Sequence, residues 1–123
     1  MRRSLALGTV FLALHPVVAW PAPLPQRIGQ CASTAIKNLS YRLDGIPDSG
    51  SAVAYANGGT QVSYDVIPAI HRSRRGDPVR LCLVSIPRGC PPGDDRGRTY
   101  NATNLRTGES WSAPDAQHIC GGA

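Results

Sequence analysis

The chain has 123 residues, a formal net charge of +5 at pH 7 and four cysteines. This length suffices for one domain. Lys37 is the only lysine, and the arginine excess is typical of a GC-rich bacterial genome. Because this excess is weak support for nucleic-acid binding, we expect no nucleic-acid partner.

The N-terminus has the three parts of a secretory signal. Its start is positively charged, residues 5–14 are apolar or small, and small residues precede a predicted cut after Ala19. Cleavage after Ala22 is the weaker alternative, because a proline follows directly. An uncleaved anchor is disfavoured, since His15-Pro16 interrupts a run shorter than the roughly 20 residues that span a bilayer. We therefore predict a signal peptide over 1–19, no transmembrane segment after its cleavage, and a mature protein that is periplasmic or secreted.

After the signal, residues 20–30 are rich in proline and predict an extended or loose leader. The remaining residues, 31–123, predict a single domain. The mature chain contains neither phenylalanine nor methionine, so its core is thin and needs further stabilisation. In an oxidising compartment, four cysteines predict two disulfides.

Three pairings of the cysteines are possible. Direct pairing of Cys82 with Cys90 would force the chain to double back within a few residues. We therefore favour the pairs Cys31–Cys82 and Cys90–Cys120. Each pair closes a long loop and contributes about 4 kcal/mol in the chain-entropy description.

Several short segments have the alternating pattern of β-strands. Residues 39–43 alternate, and 51–66 contain two alternating halves around Asn57-Gly58-Gly59, which predicts a hairpin. Either Asn57-Gly58 or Gly58-Gly59 can supply the turn. Residues 79–86 are the most apolar strand, expected near the sheet centre. Weaker strands follow over 99–105 and 110–112.

These elements predict a mostly β protein, namely a small antiparallel sandwich or partly open barrel stapled by disulfides. A mixed fold with one short helix, over 68–74 or 113–119, is the alternative. No internal repeat is present, and the mature chain has no apolar period of helical length.

One basic cluster is a candidate binding site. His71, Arg72, Arg74 and Arg75 occur within five residues and predict attachment to an anionic surface such as phospholipid, lipopolysaccharide or a polyanionic glycan. The tripeptide Arg75-Gly76-Asp77 also matches a cell-adhesion motif, but a turn before the following strand explains it better.

Two other groups have weaker claims to chemistry. His118 and Cys120 share one face of an extended tail and would suit a reactive thiolate, unless Cys120 is in a disulfide. Asp94-Asp95 suits a hard cation, although calcium loops normally alternate their acids. No catalytic or phosphate-binding signature occurs. We therefore expect no catalytic residues, no metal site and no cofactor, and interpret the chain as a non-enzymatic protein.

The C-terminal motifs resemble a group of short exported proteins of proteobacteria. The similar segments are Leu81–Pro87, Cys90–Tyr100 with its CPPGDDRG stretch, Thr103–Trp111 with TNLRTG, and Gln117–Ala123. The resemblance covers about residues 31–123. It implies export and a bacterial source, and it brings no activity with it.

A shorter stretch, Ser49–Tyr55, resembles the Ser-Gly-Ala-x-Tyr motif of periplasmic inhibitors of C-type lysozyme. That resemblance implies a small β-barrel with a disulfide. Taken together, the sequence predicts an exported module that binds an unidentified protein or envelope component. The alternatives are attachment to an anionic envelope surface through residues 71–75 and inhibition of a lysozyme-type hydrolase.

Overall fold

Six antiparallel strands and one helical turn form the fold in a computed structural model that describes residues 4–14 and 20–122. The predicted cleavage after Ala19 lies outside the described residues. Residues 4–14 have no regular secondary structure, and their large apolar side chains are exposed. No helix in the described ranges is long and apolar enough to cross a membrane.

The strands form one sheet in the spatial order β3-β2-β1-β4-β5-β6. A short 3-10 turn, Pro47–Ser49, precedes β2, and a single α-helical turn, α1 (Pro68–His71), precedes β4. The strand bounds are β1 Cys31–Tyr41, β2 Ser51–Tyr55, β3 Thr60–Ser63, β4 Pro78–Ser85, β5 Thr99–Asn104 and β6 Ser110–Pro114.

The longest strand, β1, changes partner halfway along. Its first half, residues 31–35, pairs with β4, and its second half, from Ile36, pairs with β2. A bulge between Ile36 and Asn38 separates the halves. Because a bulge increases strand twist and bends the strand, β1 curls the sheet around the core.

The curl brings the two outer strands together. The Thr60 side chain at the start of β3 donates a 2.9 Å hydrogen bond to the carbonyl of Asp115, just after β6. The result is a curled, mostly β half-barrel, which confirms the predicted fold class. Its core consists of apolar side chains from five of the strands and from α1: Ile36, Val53, Tyr55, Ala69, Ile70, Val79, Leu81, Leu83, Tyr100, Ala102 and Trp111.

Inside the half-barrel, the fully buried amide of Gln61 links β3 to the opposite wall. Its oxygen accepts hydrogen bonds from the Tyr55 hydroxyl and the Trp111 indole. Its nitrogen donates to the carbonyls of Tyr100 and Ala113. Both N–H groups of the amide and both lone pairs of its oxygen therefore have a hydrogen-bond partner within the protein.

The disulfides join Cys31 to Cys82 and Cys90 to Cys120, the two pairs that the sequence favours. The first crosses between directly paired residues of β1 and β4. The second ties the loop after β4 to the C-terminal tail. Two disulfides are typical of proteins that function outside the reducing cytoplasm.

The structure corrects several predicted boundaries. β1 begins at Cys31, eight residues before the strand expected over 39–43. β3 ends at Ser63, so residues 64–66 belong to a loop. The hairpin connection spans Ala56–Gly59, longer than either two-residue turn, with Gly58 at φ 88°. A helical turn forms within 68–74, whereas 113–119 holds the end of β6 and bends.

The leader over 20–30 is not loose. The Ala22 N–H donates to the Ser33 carbonyl, and the Ala22 carbonyl accepts from the Asn57 side chain. Leu24 packs against the core, and Pro25 is buried. Proline-rich composition indicated an extended segment, but it did not show that this segment packs on the sheet.

Candidate binding site

One end of the half-barrel is built where β1, β2 and β3 meet two connecting segments, residues 42–50 and residues 64–77. β1 ends at Tyr41, and the chain then turns at Asp44-Gly45, where Gly45 has φ 74°. Ser49 holds this loop closed: its hydroxyl donates to the Ile46 carbonyl and accepts the Leu43 N–H. These bonds are internal, so the loop presents a defined surface.

A chain of three contacts fixes the aromatic ring at the centre of this end. The Ser51 hydroxyl, fully buried, accepts the Ile67 N–H at 2.9 Å. It lies 2.8 Å from Nε2 of His71, which ends α1. The His71 ring stacks on Tyr41 with the centroids 5.3 Å apart. Tyr41 is therefore held in place although its ring is partly exposed.

The stacked pair of Tyr41 and His71 lines two open hollows. The first, of about 420 Å³, is also lined by Leu39, Asp44 and Ile70. The second, of about 440 Å³, is lined by the remaining loop residues, including Pro47, Asp48, Val66, Pro68 and Arg72. Both volumes lie within the range of small ligand sites.

Large apolar side chains are exposed on the loops at this end. Five of them are between 38% and 57% exposed: Tyr41, Leu43, Ile46, Tyr64 and Val66. On the outer side, the Arg42 guanidinium lies over the Tyr64 ring, 4.2 Å from its centroid. We call these five residues, with His71 and Asp44, the Tyr41 face.

The 2.8 Å between the Ser51 hydroxyl and Nε2 of His71 is typical of a nucleophilic serine and its general base, but the surroundings of Ser51 do not suit catalysis. The Ser51 side chain has no exposed surface, so no substrate can reach it. Its oxygen is already engaged by the Ile67 N–H. A hydrolytic serine needs access and a site for the developing oxyanion. The pair therefore positions the Tyr41 ring and is not a catalytic site.

The basic cluster predicted from the sequence is divided in the structure. His71 faces Ser51 and Tyr41, and Arg72 pairs with Glu109 at 2.9 Å. Arg74 and Arg75 remain exposed, and Arg75 donates to the neutral Asn38 side chain at 2.8 Å. Two of the four predicted residues, Arg74 and Arg75, thus form no ion pair with the described part of the chain.

Lys37 lies beside these two arginines, although it was not part of the predicted basic cluster. The bulge carries Lys37 beside the 72–77 loop, because Ile36 accepts the Gly76 N–H and Asn38 accepts Arg75. We call Lys37, Arg74 and Arg75 the basic patch. Lys37 is far from Arg74 and Arg75 in the sequence, so a local run of basic residues does not indicate this patch.

Asp77 of the adhesion-like tripeptide is not available to a partner. Its carboxylate is 5% exposed and accepts two hydrogen bonds from Arg106, at 2.7 and 3.0 Å. Asn104 and the Arg74 N–H also donate to it. The Arg106 guanidinium, together with these donors, holds the Asp77 pKa well below its usual range. The tripeptide is therefore a structural turn.

The two weaker candidates are also engaged in the fold. Asp94 forms two hydrogen bonds with Arg96 and accepts the Gly121 N–H, which lowers its pKa. Cys120 is bonded to Cys90, so its sulfur is not a thiolate beside His118. Within residues 4–14 and 20–122, no group of three or more histidine, cysteine or acidic residues could hold a metal ion.

No protein-family model matches the chain, and neither does any curated protein or solved structure. The Tyr41 face and the basic patch are therefore the features of the molecule from which a function can be inferred.

Proposed function

We propose that the chain is exported and that, outside the cytoplasm, it binds a protein partner through the Tyr41 face without catalysing a reaction. The observation that carries this proposal is the group of five large apolar side chains exposed at one end of a small domain. Several exposed apolar side chains grouped at one end are typical of interaction sites, and tyrosine is enriched among the residues that dominate binding.

The rigidity of the face supports the same proposal. Internal bonds of Ser49 close the first loop, and the Ser51–His71 pair holds Tyr41. A surface that is ordered before binding loses less conformational entropy when a partner arrives. An exposed apolar group without such support would instead be an aggregation hazard.

Site-directed photo-crosslinking in the exporting cell tests the proposal. A photoreactive phenylalanine analogue at Ile46 is expected to give an adduct of one defined mass. The same analogue at Ser112, on the exposed outer surface of β6, is the matched control and should give none. Loss of the Ile46 adduct in a Tyr64→Ser background would locate the contact. Equal labelling from both positions would refute a specific binding face.

Export itself is tested by mass. The signal pattern over 1–19 and the two disulfides support it. We expect the mature protein to begin at Trp20 and to gain four protons on reduction, two for each disulfide. A protein retaining Met1, or one with free thiols, would contradict the export proposal.

A second candidate function is attachment to an anionic envelope surface through the basic patch. The favouring observation is that Lys37, Arg74 and Arg75 are exposed together, whereas Arg72 and Arg106 are neutralised by acids. Such attachment weakens as salt screens the charges.

Co-sedimentation with vesicles containing phosphatidylglycerol tests this candidate. The variant with serine at 37, 74 and 75 should lose binding. The matched control replaces Arg27, Arg80 and Arg88, three exposed cations elsewhere, by serine and should retain it. Equal loss in both variants would show that net charge alone is responsible, and unchanged binding in the first would refute the patch.

Inhibition of a lysozyme-type hydrolase has less support. The side chains that resemble the inhibitor motif bond within the chain: Ser49 to its own loop, Ser51 to His71 and Tyr55 to Gln61. If a hydrolase is nevertheless the partner, the purified protein will inhibit C-type lysozyme at stoichiometric concentration, and Tyr41→Ser will abolish the inhibition.

A further inference from the structure

The hollow lined by Tyr41 and His71 combines apolar and aromatic side chains with the carboxylate of Asp44. We infer that it receives an arginine side chain of the protein partner. This inference rests on the proposed function and deepens it by naming the group that enters the Tyr41 face.

The half-buried side chain of Leu39 lines the hollow, and Ile70 lies against the core and is almost completely buried. The side wall is the stacked pair of Tyr41 and His71. The three methylene groups of an arginine pack on an apolar side chain such as that of Leu39, and its planar guanidinium stacks on an aromatic face.

The hollow carries an acidic group, because Asp44 lines it and is exposed. Among the described residues, the ion pairs join Arg72 to Glu109, Arg96 to Asp94 and Arg106 to Asp77. Asp44 is in none of them, so its carboxylate is not neutralised by the described part of the chain. A guanidinium in the hollow would reach it and could pair bidentately.

The aromatic wall of the hollow favours arginine over lysine. Lysine carries a compact, strongly hydrated charge that gains little from a planar aromatic wall. The molecule contains one example of the favoured geometry, since the Arg42 guanidinium lies 4.2 Å from the Tyr64 ring centroid. The hollow provides the same aromatic surface at Tyr41, together with the carboxylate that the Arg42 site lacks.

Titration with N-acetyl-arginine methylamide, followed by two-dimensional amide NMR, tests the inference. We expect saturable millimolar binding, with shifts confined to residues 39–45 and 70–71. The citrulline analogue has the same shape without the charge and should bind up to about fivefold more weakly, the upper end of the range for an exposed ion pair. Equal binding of the two probes, shifts spread over the surface, or no saturable shift would overturn it.

The variant Asp44→Asn should weaken arginine binding by the same factor, up to about fivefold. Asp95→Asn, an exposed loop acid elsewhere, is the matched control and should bind normally. The dispersed spectrum of each variant will show that it is folded. If Asp44→Asn binds arginine normally while the Ile46 crosslink persists, the inference fails and the proposed function stands. If the Ile46 crosslink is absent while arginine still binds, the protein partner is refuted instead.

Discussion

Gln61 makes four hydrogen bonds inside the half-barrel and is fully buried. Its amide is the common partner of Tyr55, Trp111 and two carbonyls of the opposite wall. Burial raises the pKa of the Tyr55 hydroxyl far above its usual value, so this group donates its proton to Gln61 at every physiological pH. A leucine at 61 would leave both donors buried without an acceptor.

We therefore predict that Gln61→Leu lowers the free energy of unfolding by about 3 kcal/mol, because unsatisfied buried donors keep their full desolvation cost. Urea unfolding followed by the fluorescence of Trp111 measures the effect. Gln117→Leu makes the same change at an exposed position and should alter stability by less than about 0.5 kcal/mol. Equal effects in the two variants would contradict the role of the buried amide.

Asp77 connects the loop after α1 to the β5–β6 hairpin through Arg106. Its pKa is depressed in the folded state, so its contribution is complete above the unfolded pKa near 4 and is lost as the pH falls toward the folded value. We predict that Asp77→Asn costs about 3 kcal/mol at pH 7. The difference from the wild type should narrow between about pH 5 and pH 2.

Unfolding curves over a pH series measure this narrowing. Asp95→Asn is the control because its carboxylate is exposed. A difference between wild type and Asp77→Asn that stays constant down to pH 2 would show that the side chain acts through shape and not through its charge.

Among the structural elements, the turn into β2 has the tightest backbone contact. Gly50 has φ 119°, and a Cβ at this position would collide with the Ser63 carbonyl oxygen of β3. The close approach places Tyr64 beside the start of β2 and so helps to form the Tyr41 face.

We predict that Gly50→Ala destabilises the protein by about 3 kcal/mol or more, since backbone strain adds to the collision. Gly58→Ala is matched in its positive φ of 88° but has open space around the added Cβ. It should cost only about 1 kcal/mol. Thermal unfolding of both variants separates strain from collision, and equal losses would contradict the contact at Ser63.

The sequence predicted the strands whose inward residues are strongly hydrophobic. It did not predict the first half of β1, whose inward residues are smaller or polar. β4, with Val79, Leu81 and Leu83 inward, was placed correctly near the sheet centre. The first half of β1 buries Ala32, Thr34 and Ile36, and small or polar residues give a weak alternating signal. The Tyr41 face was missed because it joins Tyr41, Tyr64 and His71, which no local period relates, and because Ser51 fixes it from the interior.

For the molecule as a whole, the disulfides compensate for a thin core. Cys31–Cys82 and Cys90–Cys120 close segments of 51 and 30 residues. We predict that replacing either pair by serines lowers stability by about 4 kcal/mol. Because a small domain has only about 5–15 kcal/mol in total, the variant lacking both pairs should be unfolded at 37 °C.

Circular dichroism during thermal unfolding distinguishes these variants. Each pair should be replaced separately. Cys31–Cys82 joins two strands that are already hydrogen-bonded, whereas Cys90–Cys120 connects a loop to the C-terminal tail. An unchanged melting temperature without Cys90 and Cys120 would show that the C-terminal tail is held by its other contacts.

The double pairing of β1 also has a consequence for the order in which the chain acquires its structure. A chain made from its N-terminus completes β1 early and can close β1 on β2 at once, but Cys82 follows Cys31 by 51 residues. At about 5–20 residues per second, the first half of this central strand waits several seconds for its neighbour β4. During that interval its unpaired edge is exposed to other nascent chains, so a holding chaperone should raise the yield of folded protein more than an oxidant added later.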